Sequence, residues 1–290
     1  MFKVYAFLKR NPRLTHDEYR AGHVGYHCGQ SRRLKGIRGY LVNIWANEPL
    51  VHKIGPLHAE ITIDEPENFL DHWDGFPEVY FDDRESWVQA RTPEPTRATA
   101  DGLAVDPDWS LDDGPHLFVP APNHPEQFRS HHLHLEEHVI APVRRPEFKL
   151  TKLMQFFRRR PELPEADFRR RLLEDYAPLA ASMTGLHGLV VNLRDPDQEA
   201  ALRGFFKPDD WVLSEEGTAA RRAFCALWDG ANELHFGAVD DFVRARTEAR
   251  VREPLRALET QLFESVWYVE VDENLIVLPN RDPAPDFYFR

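Results

Sequence analysis

Two histidines spaced one helical turn apart, His23 and His27, are the side chains of this sequence best suited to proton transfer. Residues i and i+4 of an α-helix lie on the same face, so the two imidazoles are expected side by side. Imidazole titrates near neutral pH and acts as a general acid or a general base. We predict that His27 moves a proton and that His23 lines the site. The alternative is a structural histidine bonded to a backbone carbonyl.

A second polar set lies within residues 58–64, whose alternation predicts a strand with one apolar and one polar face. His58, Glu60 and Thr62 occupy the polar face. Polar side chains that point into a protein interior are costly unless water or a ligand meets them. We therefore predict that His58 and Glu60 face the site and assist His27. The alternative is a solvent-exposed face.

Several further residues are expected to hold the oxygen atoms of a substrate or to line its pocket. Tyr40 and Asn43 belong to a strand predicted beside the polar set, where they orient a carbonyl or carboxylate or merely pack. In a second cavity, Tyr176 would stand where the first has His27. The predicted substrate-binding residues are Tyr40, Asn43, Arg38, Tyr5, Trp45 and His23 in the first cavity, and Tyr176, Glu233 and His235 in the second.

A histidine-rich segment raises the question of a metal. We predict a helix over residues 125–140, on which His131, His134 and His138 could converge. The spacing differs from the zinc protease motif, so we expect an exposed or structural histidine helix and no metal, although the segment could lend one histidine to a neighbouring pocket. Motifs of nucleotide-binding proteins, serine hydrolases and zinc fingers are missing, and no cofactor is expected.

The elements that must position these residues occur twice. Residues 3–44 align without a gap on residues 152–193, and a prolyl turn, a helix face and a glycine-flanked strand keep one register. The copies differ at His27 and Tyr176, so we expect two unequal sites, with the first the better candidate. The identical pairs are Phe7/Phe156, Pro12/Pro161, Leu14/Leu163, Arg20/Arg169, Gly36/Gly185, Gly39/Gly188 and Asn43/Asn192.

Each copy predicts the order β-α-β-β-α-β. Thr15 and Glu18 form a capping-box sequence that opens a helix to about residue 34. The other predicted elements of the first copy are strands at 2–10, 40–46, 58–64 and 102–105 and a helix at 65–73. Those of the second are strands at 152–158, 189–193, 232–236 and 266–271 and helices at 165–183 and 239–250, with an insertion at 194–229.

This order is the ferredoxin-like arrangement, an α+β fold with helices on one face of an antiparallel sheet. The other face needs a partner, and two such sheets closing face to face form a barrel whose interior is a natural ligand cavity. We predict a first domain at 1–112, a His- and Pro-rich connecting extension at 113–147, a second domain at 148–278 and a tail at 279–290.

The sequence resembles the EthD-like branch of the dimeric α+β barrel superfamily. The first copy carries this resemblance at Lys9-Arg10, Pro12, Tyr19, His27, Gly36, Arg38, Tyr40 and Asn43. The second carries it at Arg158-Arg159, Pro161, Phe168, Ala177-Pro178-Leu179, Gly185, Leu186 and Asn192. The resemblance implies a tandem duplication of the fold and cofactor-independent dehydration, decarboxylation, cyclisation or isomerisation of polyketides and aromatic catabolites.

Composition narrows the classes of partner. The 290-residue chain has a net charge of −12, which argues against non-specific nucleic-acid binding. No apolar run approaches the roughly 20 residues that cross a bilayer, and the first residues lack a signal-peptide pattern. Cys28 and Cys225 occupy unmatched positions, so we expect free thiols and a cytoplasmic protein. A homodimer is left open.

Together these features predict a cofactor-free isomerase or lyase. Its expected substrate is a small unsaturated oxygenated molecule, such as an aromatic ring-cleavage product, a lactone or a polyketide. Proton removal next to a carbonyl needs only a placed base and stabilisation of the enolate. The first alternative is a non-catalytic barrel that binds or shuttles a small molecule. The second is a metal-dependent enzyme that uses the histidine-rich connection.

Overall fold

A closed barrel of antiparallel strands forms the centre of the computed structural model, which describes residues 1–32, 34–90 and 110–280. In chain order the strands are β1 (Phe2–Leu8), β2 (Gly39–Trp45), β3 (Gly75–Phe81), β4 (Pro120–Ala121), β5 (His124–Phe128), β6 (Ser130–Ala141), β7 (Thr151–Arg159), β8 (Leu186–Arg194), β9 (Gly230–Phe236) and β10 (Phe263–Val277). Strands β4 and β5 form a separate two-stranded sheet.

Helical segments surround the barrel. In chain order they are α1 (His16–Ala21), a π-helical turn (Gly22–His27), α2 (Cys28–Ser31), α3 (Leu50–Ile54), α4 (Leu57–Ile61), α5 (Phe69–His72), α6 (Arg84–Gln89), α7 (Ser110–Leu117), α8 (Glu165–Arg171), a second π-helical turn (Leu172–Tyr176), α9 (Ala177–Ala181), α10 (Glu199–Phe205), a 3₁₀ turn (Trp211–Leu213), α11 (Glu215–Cys225), α12 (Val239–Thr247) and α13 (Ala249–Leu262). Within the described ranges, none of the helices is long and apolar enough to span a membrane.

The strand order around the barrel is β1-β3-β2-β10-β7-β9-β8-β6. The first half of the chain contributes β1, β2, β3 and β6, and the second half contributes β7 to β10. Strand β6 pairs with β1 of its own half and with β8 of the other. Strand β10 likewise pairs with β7 and with β2. Each half therefore lends its last strand to close the barrel against the other half.

A long interrupted helix lies outside each half of the barrel, as the sequence predicts. The first begins at a capping box, in which the Thr15 N–H donates to Glu18 Oε2 (2.8 Å) and the Glu18 N–H donates to Thr15 Oγ1 (3.2 Å). It runs through α1, the π-helical turn and α2. The second begins after Pro164 and runs through α8 to α9. Both bury their apolar faces against the outer face of the sheet.

The third strand of the first half is β3, so the strand predicted at 58–64 is wrong. Residues 57–61 form helix α4, which follows the turn at Gly55-Pro56. Leu57 and Ile61 are one helical turn apart and are both buried in the second-half core. Apolar residues at every second position are typical of a strand. In a segment of only five residues, the first and fifth of them also lie on one face of a helix.

The helix predicted at 125–140 is also wrong, because this stretch forms strands β5 and β6. Leu133 and Leu135 point into the barrel, while His132 and His134 lie on its outer face beside Ala6 and Val4. Strand β6 has a barrel neighbour on each side, and that pairing overrides the helical spacing of its histidines. The strand predicted at 102–105 lies outside the described residues.

Side chains fill the barrel interior, which the sequence predicts as a ligand cavity. Aromatic residues occupy one end and a cluster of charged residues occupies the rest, so the protein's own groups take the space expected for a ligand. The principal aromatic residues are Tyr5, Phe7, Trp45, Phe76, Phe156, Trp228 and Trp267.

Candidate functional site

The three residues predicted to act together in catalysis lie in three separate cavities. His27 lines a cavity between the first long helix and the barrel. His58 lines a second, of about 120 Å³, where its Nε2 lies 3.2 Å from Glu65 Oε2. Glu60 lines a third and pairs with Arg252 at 2.7 Å. Over the part of the chain that the structure describes, these cavities share no lining residue, so His58 and Glu60 are not brought to His27.

The cavity beside His27, here called the helix–sheet cavity, has a volume of about 90 Å³. Its floor is the outer face of β1, β2, β3 and β6, and its roof is the first long helix. Helix α10 of the insertion and helix α6 close its side. The lining residues are Ala6, Leu8, His27, Ser31, Leu34, Tyr40, Pro77, Val79, Trp87, Phe128, His132, Phe205 and Phe206.

His27 ends the π-helical turn and is only 5% exposed. Its ring lies edge-on to Phe118 and to His23, at centroid distances of 5.2 Å and 5.3 Å. The Ser31 hydroxyl donates to the His27 carbonyl oxygen at 3.0 Å. A π-helical turn inserts an extra residue into a helix and often marks a functional position, since it re-aims the side chains at its end.

His132 is the second imidazole of this cavity, and sequence reasoning does not select it individually. It stands opposite Ala6 on β6, and its Nδ1 lies 3.3 Å from Ser130 Oγ. Its ring also packs against Phe206 of the insertion at 4.8 Å. The alternation of residues 130–135 is the signal for a strand with outward-facing histidines, but the i, i+4 spacing of the histidines obscures it.

Tyr40 completes the polar side of the helix–sheet cavity. The Cys28 thiol donates to Tyr40 Oη at 3.3 Å. Burial, reinforced by Cys28, raises the pKa of Tyr40 well above its usual value, so the phenol stays protonated and available as a donor. The cavity therefore combines apolar aromatic walls with two imidazoles, a phenol and a hydroxyl, the composition typical of a small-molecule site.

His23, predicted to line the site, instead packs behind it. It is 1% exposed, and its Nδ1 lies 3.2 Å from Tyr19 Oη. Burial, with a smaller contribution from His27, lowers the pKa of His23 well below its usual value. A histidine that stays neutral and edge-on to His27 supports the ring of His27 by packing.

The second half fills the equivalent space with larger side chains. Tyr176 takes the place of His27, and Gln155 takes that of Ala6 in the repeat. The strand register gives the other two equivalent pairs. His132 lies opposite Ala6 in the first half, and Tyr268 lies opposite Gln155 in the second. In the same way, Pro77 lies opposite Val42 and Asn232 lies opposite Val191. The equivalent positions of the two halves are therefore Ala6/Gln155, His27/Tyr176, Pro77/Asn232 and His132/Tyr268.

These four larger side chains bind one another. Gln155 Nε2 donates to Tyr176 Oη and to Tyr268 Oη, both at 2.7 Å, and Gln155 Oε1 accepts from Asn232 Nδ2 at 2.6 Å. Glu259 lies behind them and accepts from Tyr176 Oη at 3.2 Å. The second of the two predicted sites is thus a buried hydrogen-bonded network, in which Tyr176 has a packing role.

The other predicted residues of the second cavity point into the barrel instead. Glu233 meets Lys3 and Lys152, whose amino groups also contact Glu78 from the first half. Asn192 Nδ2 donates to Glu233 (2.8 Å) just as Asn43 Nδ2 donates to Glu78 (2.6 Å), since the two asparagines are a matched pair of the repeat. The ionic cluster, as we call it, comprises Lys3, Lys152, Arg145, Glu78, Glu137, Glu233, Glu273 and His235.

Opposite charges hold the ionic cluster in its charged state. Although burial alone would raise it, the pKa of Glu233 lies well below its usual value because Lys152 and Lys3 are adjacent. Burial alone would lower the pKa of Lys152, but Glu233, Glu78 and Glu273 raise it. Tyr5 Oη donates to Glu233 at 2.8 Å, so this predicted binding residue also belongs to the interior.

The remaining predicted binding residues have structural partners. The guanidinium of Arg38 binds Asp82, with its own side chain buried. The indole of Trp45 donates to the Trp73 carbonyl oxygen at 2.5 Å and packs inside the barrel. His235 Nε2 lies 3.4 Å from Glu273 Oε1. None of the three lines the helix–sheet cavity.

The histidine-rich strand has a structural role over most of its length. Burial lowers the pKa of both His131 and His134 to about 3. His131 points into the barrel against Trp73, while His138 lies 3.0 Å from Glu136. Over the described ranges, no group of three or more His, Cys, Asp or Glu side chains could hold a metal ion.

Comparison with solved structures finds proteins that match most of this chain at low sequence identity. A "putative monooxygenase" from Fusobacterium nucleatum subsp. nucleatum ATCC 25586 matches with a TM-score of 0.50 and 9% identity, over 97% of this chain and 94% of that chain. An anthrone oxidase-like protein matches with a TM-score of 0.48 and 10% identity, over 98% and 96% of the two chains. At 9% identity, the similarity to the Fusobacterium nucleatum protein concerns the fold alone. No family model matches this chain, and a search of curated proteins finds no match.

Proposed function

We propose that this protein is a cofactor-independent enzyme that transfers protons on a small oxygenated substrate in the helix–sheet cavity. The observation that carries the proposal is the convergence of His27, His132 and Tyr40 on one apolar cavity. The second half lacks this combination, because Gln155 and Tyr176 occupy the corresponding space. The proposal therefore assigns one reaction site to each chain.

The proposed reaction begins with removal of a proton next to a substrate carbonyl. His27 takes the proton, and the electron pair moves to the carbonyl oxygen to form an enolate. Tyr40 and His132 donate hydrogen bonds to that oxygen, which lowers the energy of the developing charge. Return of the proton at another carbon gives an isomer, and departure of a β-hydroxyl group with the proton gives water and an alkene.

The side chains that line the helix–sheet cavity indicate the class of substrate. Trp87, Phe128 and Phe205 present aromatic faces, and the volume of about 90 Å³ is of the order needed for one small ring. Aromatic ring-cleavage products, lactones and small polyketides combine such a ring with carbonyl groups. Among the described residues, the lining includes no Asp, Glu, Lys or Arg side chain, which favours a neutral substrate.

We also propose that the two halves are copies of one EthD-like unit. Three observations support this: the ungapped alignment of residues 3–44 on 152–193, the equivalent last strands β6 and β10, and the matched pairs Lys3/Lys152 and Asn43/Asn192. After a duplication, only one copy needs to keep the catalytic site. The packed network around Tyr176 then belongs to the copy that has a structural role only.

The experiment measures exchange of α-protons with D₂O by NMR, using 2′-hydroxyacetophenone as the probe ketone. We expect His27→Gln to slow exchange at least about a hundredfold, the usual contribution of a general base. The matched control is His52→Gln, since His52 lies exposed on α3. Exchange that survives His27→Gln in a folded protein contradicts the mechanism. Binding of the ketone without exchange would instead indicate a carrier.

A second variant tests the location. Ala6→Gln introduces into the first half the side chain that fills the second, and we expect it to block both binding and exchange. Circular dichroism checks that the variant folds. An oxygen electrode is run in parallel, because an enolate can also react with O₂ and the Fusobacterium nucleatum neighbour is described as an oxygenase.

A further inference from the structure

The cavity lined by Glu60, of about 250 Å³, lies where α4 of the first half meets α12 and α13 of the second. Among the described residues, it shares no lining residue with the helix–sheet cavity. Three arginines dominate its lining, and we call it the arginine pocket. The lining residues are Leu57, Glu60, Ile61, Arg246, Arg252, Glu253 and Arg256.

Two of the arginines are neutralised by carboxylates. Arg252 Nη2 lies 2.7 Å from Glu60 Oε2. Arg246 Nη2 lies 2.6 Å from both carboxylate oxygens of Glu259, deep in the second-half network. Arg256 has no carboxylate within ion-pair distance over the described ranges, and Glu259 acts on its charge only from farther away.

Unused hydrogen-bond donors also point to a ligand. Arg246 is 1% exposed, and its Nε–H is buried without a partner. Arg256 Nη1 is buried without a partner as well. A buried donor that is left unsatisfied costs about 1–3 kcal/mol, and more when the group is charged. Both arginines line the arginine pocket, so an anionic acceptor bound there would offset part of this cost.

We propose that the arginine pocket binds a small oxyanion, a phosphate or a carboxylate group. Guanidinium groups match both, because their planar N–H donors form short charge-assisted bonds with paired oxygens. Glu253 does not oppose this, since its side chain is 80% exposed and lies 3.9 Å from Arg252. The oxyanion bonds the guanidinium of Arg256, while Arg252 remains with Glu60 and Arg246 with Glu259.

The inference is independent of the proposed catalysis. Arg246 links the pocket through Glu259 to Tyr176, so an anion there stabilises the packed network of the second half and touches none of the residues assigned to proton transfer. Failure of either proposal leaves the other standing.

Isothermal titration calorimetry of the full chain with inorganic phosphate tests the site, with succinate as a second titrant. Binding of phosphate, of succinate or of both identifies which oxyanion the pocket takes. We expect Arg256→Gln to weaken binding at least tenfold. Arg244→Gln, a matched control, removes the same charge from an α12 side chain that is 71% exposed, and affinity should change less than twofold.

Two results would overturn the proposal: no saturable binding of either anion, or equal weakening by Arg256→Gln and Arg244→Gln. The second indicates non-specific attraction to positive charge. Arg256→Lys keeps the charge but loses the planar donor pair, and we expect an intermediate affinity. Thermal unfolding with and without phosphate gives an independent readout, because a ligand raises the melting temperature only of a form that binds it.

Discussion

Replacing Lys152 with Met should destabilise the protein far more than any exposed lysine does. The Lys152 ammonium contacts Glu78 and lies 3.0 Å from Glu233 and 3.3 Å from Glu273. All four side chains are at most 4% exposed, so water cannot solvate the carboxylates that remain. Loss of one partner from a buried ion pair costs about 3–5 kcal/mol.

Urea unfolding followed by tryptophan fluorescence measures this loss. With a slope of about 3 kcal/mol per molar urea, the midpoint of Lys152→Met should fall by roughly 1–1.7 M. The matched control is Lys149→Met, which breaks a surface pair of a 53% exposed lysine with Asp272. Such a pair contributes at most about 1 kcal/mol, so the midpoint should fall by no more than a few tenths of a molar.

A double variant checks the physical cause. Glu233→Gln removes one of the carboxylates that Lys152 neutralises, so adding it to Lys152→Met should cost less than the sum of the two single changes. The reasoning is refuted if Lys152→Met loses no more stability than Lys149→Met. It is also refuted if the two buried changes are strictly additive.

Two further predictions concern stability. Because the pKa values of Glu233 and Glu273 are depressed in the folded protein, the stability that these carboxylates contribute is complete above about pH 4.5 and is lost as the pH falls below it. Glu233→Gln should therefore make the urea midpoint decline less steeply between pH 5 and pH 3. An unchanged decline contradicts this prediction. Gly75→Ala should cost at least about 2 kcal/mol, because Gly75 has φ +152° and an added Cβ would lie 2.2 Å from the Asn43 carbonyl oxygen. Gly29→Ala, in open space on α2, should be neutral or stabilising in the same urea assay, and equal effects of the two changes would reject the steric argument.

Sequence reasoning succeeded where periodicity and start signals are strong, and it failed where distant contacts decide the element type. The two long helices and the strands of the second half have strong periodicity and start signals, such as the capping box at Thr15, and the structure confirms them. Residues 58–64 and 125–140 were assigned to the wrong element type. In both, the deciding contacts come from distant parts of the chain: the second-half core buries Leu57, and β1 and β8 flank β6.

Only some residues of the candidate site could be predicted from the sequence. His27 and Tyr40 stood out by residue type and position, and both line the helix–sheet cavity. His132 carried the same chemistry but was hidden in a segment assigned to a helix. Ala6 gave no chemical signal at all, because its contribution is the space that its small side chain leaves.

By itself, the sequence determined the matched pattern of residues 3–44 and 152–193 and the difference between these two segments at His27 and Tyr176. Local patterns are enough for this, since capping, turns and periodicity act between residues close in the chain. Only the tertiary structure decided that the difference creates one open cavity and one packed network. That outcome depends on side-chain volumes at Ala6 and His132, more than a hundred residues apart, which only strand pairing brings together.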